Sequence, residues 1–128
     1  MRNALLFALT LFGATLCFGA EVYPSKTVRV IVNFTPPSAS DSTARLISQQ
    51  LSEQLGKPFV VENRAGAGGT VGNAFVAQSA PDGYTLLLAD MAGTISPNFN
   101  KSLPYDVARD FTPITQIIGT PLVLVVHS

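Results

Sequence analysis

Tryptophan is absent from this sequence, cysteine and histidine occur once each, and only 12% of its 128 residues carry a charge. Each shortage removes a class of chemistry. The lone cysteine, Cys17, lies in an apolar run at the start of the chain. A chain cleaved beyond it has no thiol at all, so the remainder folds without disulfides and lacks thiol catalysis, cysteine zinc sites and thioredoxin-like redox work. The lone histidine, His127, stands next to the last residue, which leaves a Ser-His-Asp triad or a histidine metal site without a firm scaffold. Eight Lys and Arg balance eight Asp and Glu. With no net field to gather polyanions, nucleic acid is not expected as a partner, nor is an anionic membrane surface. The one close carboxylate pair, Asp106 and Asp110, flanks Arg109 and reads as a solvated turn rather than acid/base machinery. No cofactor and no metal is expected, and the chain reads as a binder and not an enzyme.

What is present is apolar sequence, 47% of the chain, punctuated by nine prolines and ten glycines. That composition belongs to a globular protein with room for one domain. Residues 1–20 stand apart. Arg2 is a short positive start, Ala4 to Phe18 is almost unbroken apolar sequence, and Gly19-Ala20 are small. This is the pattern of a cleaved secretory signal peptide, with cleavage after Gly19 or Ala20. The stretch is shorter than the roughly 20 apolar residues that span a bilayer, and Ala14-Thr15-Leu16 is a poor lead into a lipidated Cys17. Residues 21–128 are then the exported part.

In that part, Thr27 to Asn33 is short, β-branched and closed by Pro36-Pro37, as a buried strand is. A helix is expected from Ser40 or Asp41, with Ala44, Ile47, Leu51 and Leu55 at helical spacing and Gly56 and Pro58 as its stop. Phe59 to Val61 is a second strand. A second helix carries Val71, Ala74, Phe75 and Ala77-Gln78, the turn Pro81-Asp82-Gly83 ends it, and Tyr84 to Ala89 is a third strand. Strand and helix in alternation predict an α/β fold with a parallel sheet and helices on its faces. After Asp90 the pattern loosens, and Ile114 to Ile118 and Pro121 to Val126 offer two further strands. A strand as apolar as Leu122 to Val126 needs cover on both faces, so the pattern is that of a truncated chain.

Two loops carry chemistry. Gly66-x-Gly68-Gly69-x-x-Gly72 follows the second strand and invites comparison with a dinucleotide fingerprint, the basis of an alternative reading as a nucleotide-dependent α/β enzyme. The spacing fails, because GxGxxG from Gly66 requires glycine where Val71 stands, and no Lys-Ser/Thr follows. A glycine turn entering a helix still brings backbone N–H groups close to an anion, or is simply a tight turn. The loop Phe34 to Asp41 and its edge place the hydroxyls of Thr35, Ser38, Ser40 and Ser42 beside a helix start, where ordinary capping by Ser40 or Asp41 is the plainer role. Both loops, and the segment Asp90 to Thr94, follow strands. In an open parallel sheet those strand ends share one edge, and ligands bind in the crevice there.

Tyr23-Pro24-Ser25-Lys26, Glu62-Asn63-Arg64-Ala65-Gly66-Ala67-Gly68-Gly69, Ala80-Pro81-Asp82-Gly83-Tyr84, and Leu103-Pro104-Tyr105-Asp106 with Asp110-Phe111 occur in this order. From about Tyr23 onward the chain resembles the Bug-type solute receptors of tripartite tricarboxylate transporters. The resemblance implies a three-layer parallel-sheet lobe of a periplasmic binding protein-like fold, here incomplete. It also implies an extracytoplasmic receptor that binds a small organic acid (a di- or tricarboxylate, acidic amino acid or aromatic acid) and delivers it to membrane transporter subunits. The positions that match the family's ligand loops are Phe34, Ser40 and Asp41, then Ala67 and Gly68, then Ala92, Gly93 and Thr94. Asp41 is expected to cap, orient or meet a ligand amino group, since two anions repel. Two features depart from the family. Ser38-Ala39-Ser40 stands where a run of glycines is usual, and members are about twice this length or more, with a second lobe. A first lobe alone is expected to bind weakly.

Overall fold

The computed structural model describes residues 22–100, 102–119 and 126. Its elements are β1 (Val28–Val32), α1 (Ala39–Leu55), β2 (Phe59–Asn63), a 3₁₀ turn (Ala67–Gly69), α2 (Thr70–Ala77), β3 (Thr85–Leu88) and α3 (Met91–Phe99). Among the described residues the strands form one parallel sheet in the order β2-β1-β3. Val28 lies opposite Phe59 and Val32 opposite Asn63 on one side of β1, while Arg29 lies opposite Thr85 and Val32 opposite Leu88 on the other.

The alternation of β1 divides the molecule into layers, because successive side chains of a strand leave opposite faces. Val28, Val30 and Val32 form a buried cluster with Ala44 of α1 and Phe59 of β2, flanked by Leu51, Val61, Leu86 and Leu88. Arg29, Ile31 and Asn33 face the other way, toward α2: the Arg29 guanidinium lies 4.9 Å from the centre of the Phe75 ring. Helices on both faces make the expected α/β three-layer arrangement, and they explain why β1 is apolar throughout rather than alternating. Ile31 and Val32 are fully buried, and each such side chain contributes about 1.5–3 kcal/mol.

Local signals account for most boundaries. Pro36-Pro37 forms a bend that cannot continue the strand ladder, and Ser38, with φ −142°, caps α1 by accepting the Asp41 N–H at 3.1 Å. The cap is therefore Ser38 and not Ser40 or Asp41, because the hydroxyl three residues ahead of Asp41 reaches the free N–H first. Gly56 ends the helix in a left-handed conformation, φ +68°, as its sequence position predicts. At the opposite edge of the sheet the motifs at the two ends of the fold meet. Tyr23 donates to the Gly83 carbonyl at 2.7 Å, the Ser25 N–H donates to the Tyr84 hydroxyl at 2.9 Å, and Lys26 pairs with Asp82 at 3.3 Å.

Two expectations are corrected. The segment after Asp90 is a helix, α3, although Gly93 and Pro97 disfavour one. The Asp90 side chain caps it by accepting the Gly93 N–H at 3.1 Å, and it packs on the 67–69 turn and α2. Ile114 to Ile118 is not a strand: residues 111–119 have no regular structure, and Ile114, Ile117 and Ile118 are exposed. A strand exists only where a neighbour completes its ladder, and β2 and β3 pair with none of these residues. The signal peptide at 1–20, His127 and, apart from Val126, the strand expected at Pro121 to Val126 lie outside the described residues.

Replacing Ile31 by alanine is expected to cost about 2–5 kcal/mol in urea unfolding, against less than about 0.5 kcal/mol for Val60→Ala on the exposed side of β2. Charge pairs set an acid limit. The carboxyl of Glu62 is held below its ordinary value chiefly by Arg29, that of Asp110 by Arg109, and that of Asp82 chiefly by the Tyr84 N–H. Depressed folded-state values stabilise the protein above the unfolded-state values and lose that contribution as pH falls through them. The melting temperature is thus expected to be nearly flat from pH 7 to 5 and to fall below about pH 4; a fall already complete at pH 6 would contradict this origin.

Candidate functional site

The strand order reverses at β1. The chain leaves β1 through α1 for β2 on one side, then crosses by α2 on the other face to β3 on the far side of β1. Such a reversal opens a gap at the carboxyl ends of the strands, where open α/β sheets bind ligands. The loops after β1, β2 and β3 all begin at that edge, and they and the first turns of the helices they enter contain Phe34, Ser40, Asp41, Ala67, Gly68, Ala92, Gly93 and Thr94.

The first loop is held by a charge network. Arg45 grips Asp41 with two hydrogen bonds of 3.0 Å, from Nε and Nη2, one turn along α1. Asn63, at the end of β2, donates to Asp41 Oδ1 at 2.8 Å and to the Phe34 carbonyl at 3.1 Å, and accepts from Arg45 at 3.2 Å. Arg45, and then Asn63, hold the Asp41 carboxyl below the usual range. The charge of Asp41 is thus answered within the protein, and the residue is buried in the first turn of α1. Phe34 contributes its carbonyl to the frame, and Ser40 is half-buried in the first turn of α1. The N–H groups of Ala39 and Ser40 precede the first bonds of that helix, since Asp41 N–H goes to Ser38 Oγ and Ser42 N–H to the Ser38 carbonyl at 3.0 Å.

The second loop is a run of three left-handed residues, Ala67 (φ 48°), Gly68 (φ 64°) and Gly69 (φ 89°). For Ala67 this conformation costs about 1 kcal/mol or more. The turn closes with Gly69 N–H on the Gly66 carbonyl at 3.0 Å, which leaves the Ala67 and Gly68 N–H groups ahead of the first helical bond. Both residues are exposed. Close packing explains two glycines of the motif. A Cβ on Gly69 would stand 2.7 Å from Asn33 Nδ2, and one on Gly72 would stand 2.8 Å from the Arg64 carbonyl oxygen and 2.9 Å from Asn33 Cβ.

The third loop is the first turn of α3, which holds Ala92, Gly93 and Thr94. The Gly93 N–H is taken by Asp90, so the donors left at this end are those of Met91 and Ala92. Beneath the second and third loops lie buried amides that sequence reasoning missed. Asn33 Nδ2 donates to Asn73 Oδ1 at 3.0 Å and to Asp90 Oδ1 at 3.4 Å, and Asn73 Nδ2 donates to the Tyr105 hydroxyl at 3.2 Å. Asn33 Oδ1 is buried without a hydrogen-bond partner among the described residues. Two faint signals pointed to this pair: an asparagine closing a strand that is otherwise buried, and another inside the apolar helix Thr70–Ala77. Among the described residues no group of three or more His, Cys, Asp or Glu is placed to hold a metal ion.

A cluster of backbone donors, with little net charge around it, suits a small anion. The known proteins that this chain resembles agree in kind. The family model described as tripartite tricarboxylate transporter family receptor matches residues 43–128. BugT of Bordetella pertussis is 41% identical over 110 residues, which cover 84% of this chain and 34% of BugT. Among solved structures, MatC from Rhodopseudomonas palustris with bound malate is 40% identical with a TM-score of 0.64, over 71% of this chain and 31% of MatC. A second R. palustris protein, solved with adipate, is 32% identical with a TM-score of 0.59, over 67% of this chain and 29% of that one. The chain spans about a third of the length of these relatives.

Two alanine substitutions separate close packing from conformation at the glycine turn. Gly72→Ala, which meets backbone and a buried side chain, is expected to lose about 1–3 kcal/mol in urea unfolding. Gly68→Ala, which has open space around it, is expected to lose only about 1 kcal/mol for its positive φ. Equal losses would contradict the packing described.

Proposed function

Since the chain belongs to the tripartite tricarboxylate transporter family of receptors, we propose that its carboxyl-edge loops receive a small organic carboxylate for transfer to a membrane transporter. The family consists of periplasmic solute-binding receptors rather than enzymes. In this reading residues 1–20 direct export and are removed. One carboxylate of the ligand sits at the crevice and accepts from N–H groups in the first turn of α1 (Ala39, Ser40), the glycine turn (Ala67, Gly68) and the first turn of α3 (Met91, Ala92). Ser40 and Thr94 are the hydroxyl-bearing residues of those turns. Phe34 and Asp41 hold the first loop in place, and Gly93 lets the third approach the sheet closely.

The observation that supports this reading is that three helical starts follow strand ends on one edge of a parallel sheet whose order reverses at β1, in a chain 40% identical to a protein solved with malate. Dipoles suit the task better than a cationic side chain. They need no counter-charge, they leave the ligand free to depart, and they recognise carboxylate oxygens whatever the rest of the ligand is.

The test is thermal unfolding of the chain with malate, adipate, NAD or ATP at about 10 mM, a concentration suited to weak sites. A ligand at 100 times its dissociation constant stabilises by about 2.7 kcal/mol, which moves the melting temperature by several degrees. Malate or adipate is expected to raise it while NAD and ATP do not. A rise with NAD or ATP alone would instead support a nucleotide site at the Gly66–Gly72 turn.

A further inference from the structure

The buried amides Asn33 and Asn73 lie between two of the proposed donor turns. On one side, a Cβ on Gly69 would stand 2.7 Å from Asn33 Nδ2. On the other, a Cβ on Gly93 would stand 2.7 Å from Asn73 Nδ2 and 3.5 Å from Asn33 Nδ2. Each turn presents a glycine where it touches the pair, so each backbone rests directly on an amide. The pair is also wired to its surroundings. Asn33 reaches Asp90, the residue that caps α3, and Asn73 reaches Tyr105, which is itself buried. Apolar side chains would fill this space at lower desolvation cost. Amides add direction, because their hydrogen bonds fix where the Asp90 cap stands and hence where the first turn of α3 begins.

We infer that Asn33 and Asn73 are positioning residues of the carboxylate site, an uncharged wedge that sets the gap between the glycine turn and α3. The inference rests on the reading under Proposed function and adds to it a residue pair that never touches the ligand. Neutrality matters as much as shape. A carboxylate of the same size at position 73 would keep both hydrogen bonds, since it accepts from Asn33 Nδ2 and the Tyr105 hydroxyl can turn its proton toward it. It would also place a negative charge under the turns that receive an anion. The charged or titratable groups around that position are the Asp90 carboxylate, the Tyr105 hydroxyl and, over the nearby Phe75 ring, the Arg64 and Arg29 guanidiniums. Burial and Asp90 both favour the protonated form of an introduced acid, so its charge appears only as pH rises.

The experiment is a titration of the chain and of Asn73→Asp with malate from pH 5 to pH 8, followed by calorimetry or NMR. The ratio of the two affinities cancels the titration of malate itself. The ratio is expected to be near one at pH 5, where the introduced acid is neutral, and to reach about tenfold or more at pH 8, as a like charge within several ångströms of the ligand implies. A purely structural role predicts a ratio that does not depend on pH. Parent and variant binding malate equally at every pH would overturn the inference and leave the carboxylate reading standing. If the parent binds no malate, the carboxylate reading itself fails and the inference falls with it. Should Asn73→Asp unfold above pH 7, Asn73→Ala decides: a loss of malate affinity of about fivefold or more with the urea midpoint kept supports the positioning role, and unchanged affinity, or a loss that only follows a fall in that midpoint, overturns it.

Discussion

β1 carries a parallel ladder on each side, to β2 and to β3, and is covered by α1 on one face and α2 on the other. The carboxyl ends of the three strands therefore cannot move independently, and the loops that follow them inherit a common frame. Because β1 is central and the connections leave it on opposite faces, the frame contains a gap at the β1/β3 boundary. Everything proposed for this chain depends on that placement. Burial of Val28, Val30 and Val32 on one side and Ile31 on the other supplies the free energy that holds it.

The polar groups at the edge are arranged so that little charge is left over. Asp41 is answered by Arg45, and Glu62 by Arg29 on the far side of the sheet. Asp90 is engaged by the Gly93 N–H and Asn33. Three helical starts then present backbone donors beside side-chain charges that are paired within the protein. On the proposed reading, a receptor that must release its ligand gains from this, because dipolar binding is moderate in strength and tolerant of what lies beyond the carboxylate. On the proposed reading the same logic favours asparagine over aspartate at position 73, where an acid would keep the hydrogen bonds and spoil the field, whereas an acid at position 33 would lose the N–H that Asn73 and Asp90 accept.

Much of the scaffold was legible in the sequence, and the reasons are local. The valine-rich run before Pro36-Pro37, the helical spacing from Ala44 to Leu51 and the left-handed stop at Gly56 each act through nearest neighbours, so a one-dimensional reading captures them. The ordered motifs from Tyr23 to Phe111 identified the family, and the match at residues 43–128 agrees. The structure also explains why the first and third motifs occur together: Tyr23 and Lys26 bond to the turn at Asp82-Gly83. What could not be read was decided by distant partners. α3 forms despite Gly93 and Pro97 because Asp90 caps it and the 67–69 turn supports it. Ile114 to Ile118 has the composition of a strand but no neighbour among the described residues. The Asn33–Asn73 pair joins residues forty positions apart, and no local pattern announces such a contact. At the carboxyl edge, the placement of these loops after strands was legible, while the buried amide contacts beneath them were not.

The central claim, that three backbone turns at the carboxyl edge receive one carboxylate, is tested most directly by following the amide resonances of the isotope-labelled chain as malate is added. The account predicts that the largest shifts fall on the N–H groups of Ala39, Ser40, Ala67, Gly68, Met91 and Ala92, with the Tyr23–Asp82 end of the sheet unmoved. Largest shifts at that opposite end, or around Arg29 and Phe75 on the α2 face, would contradict it.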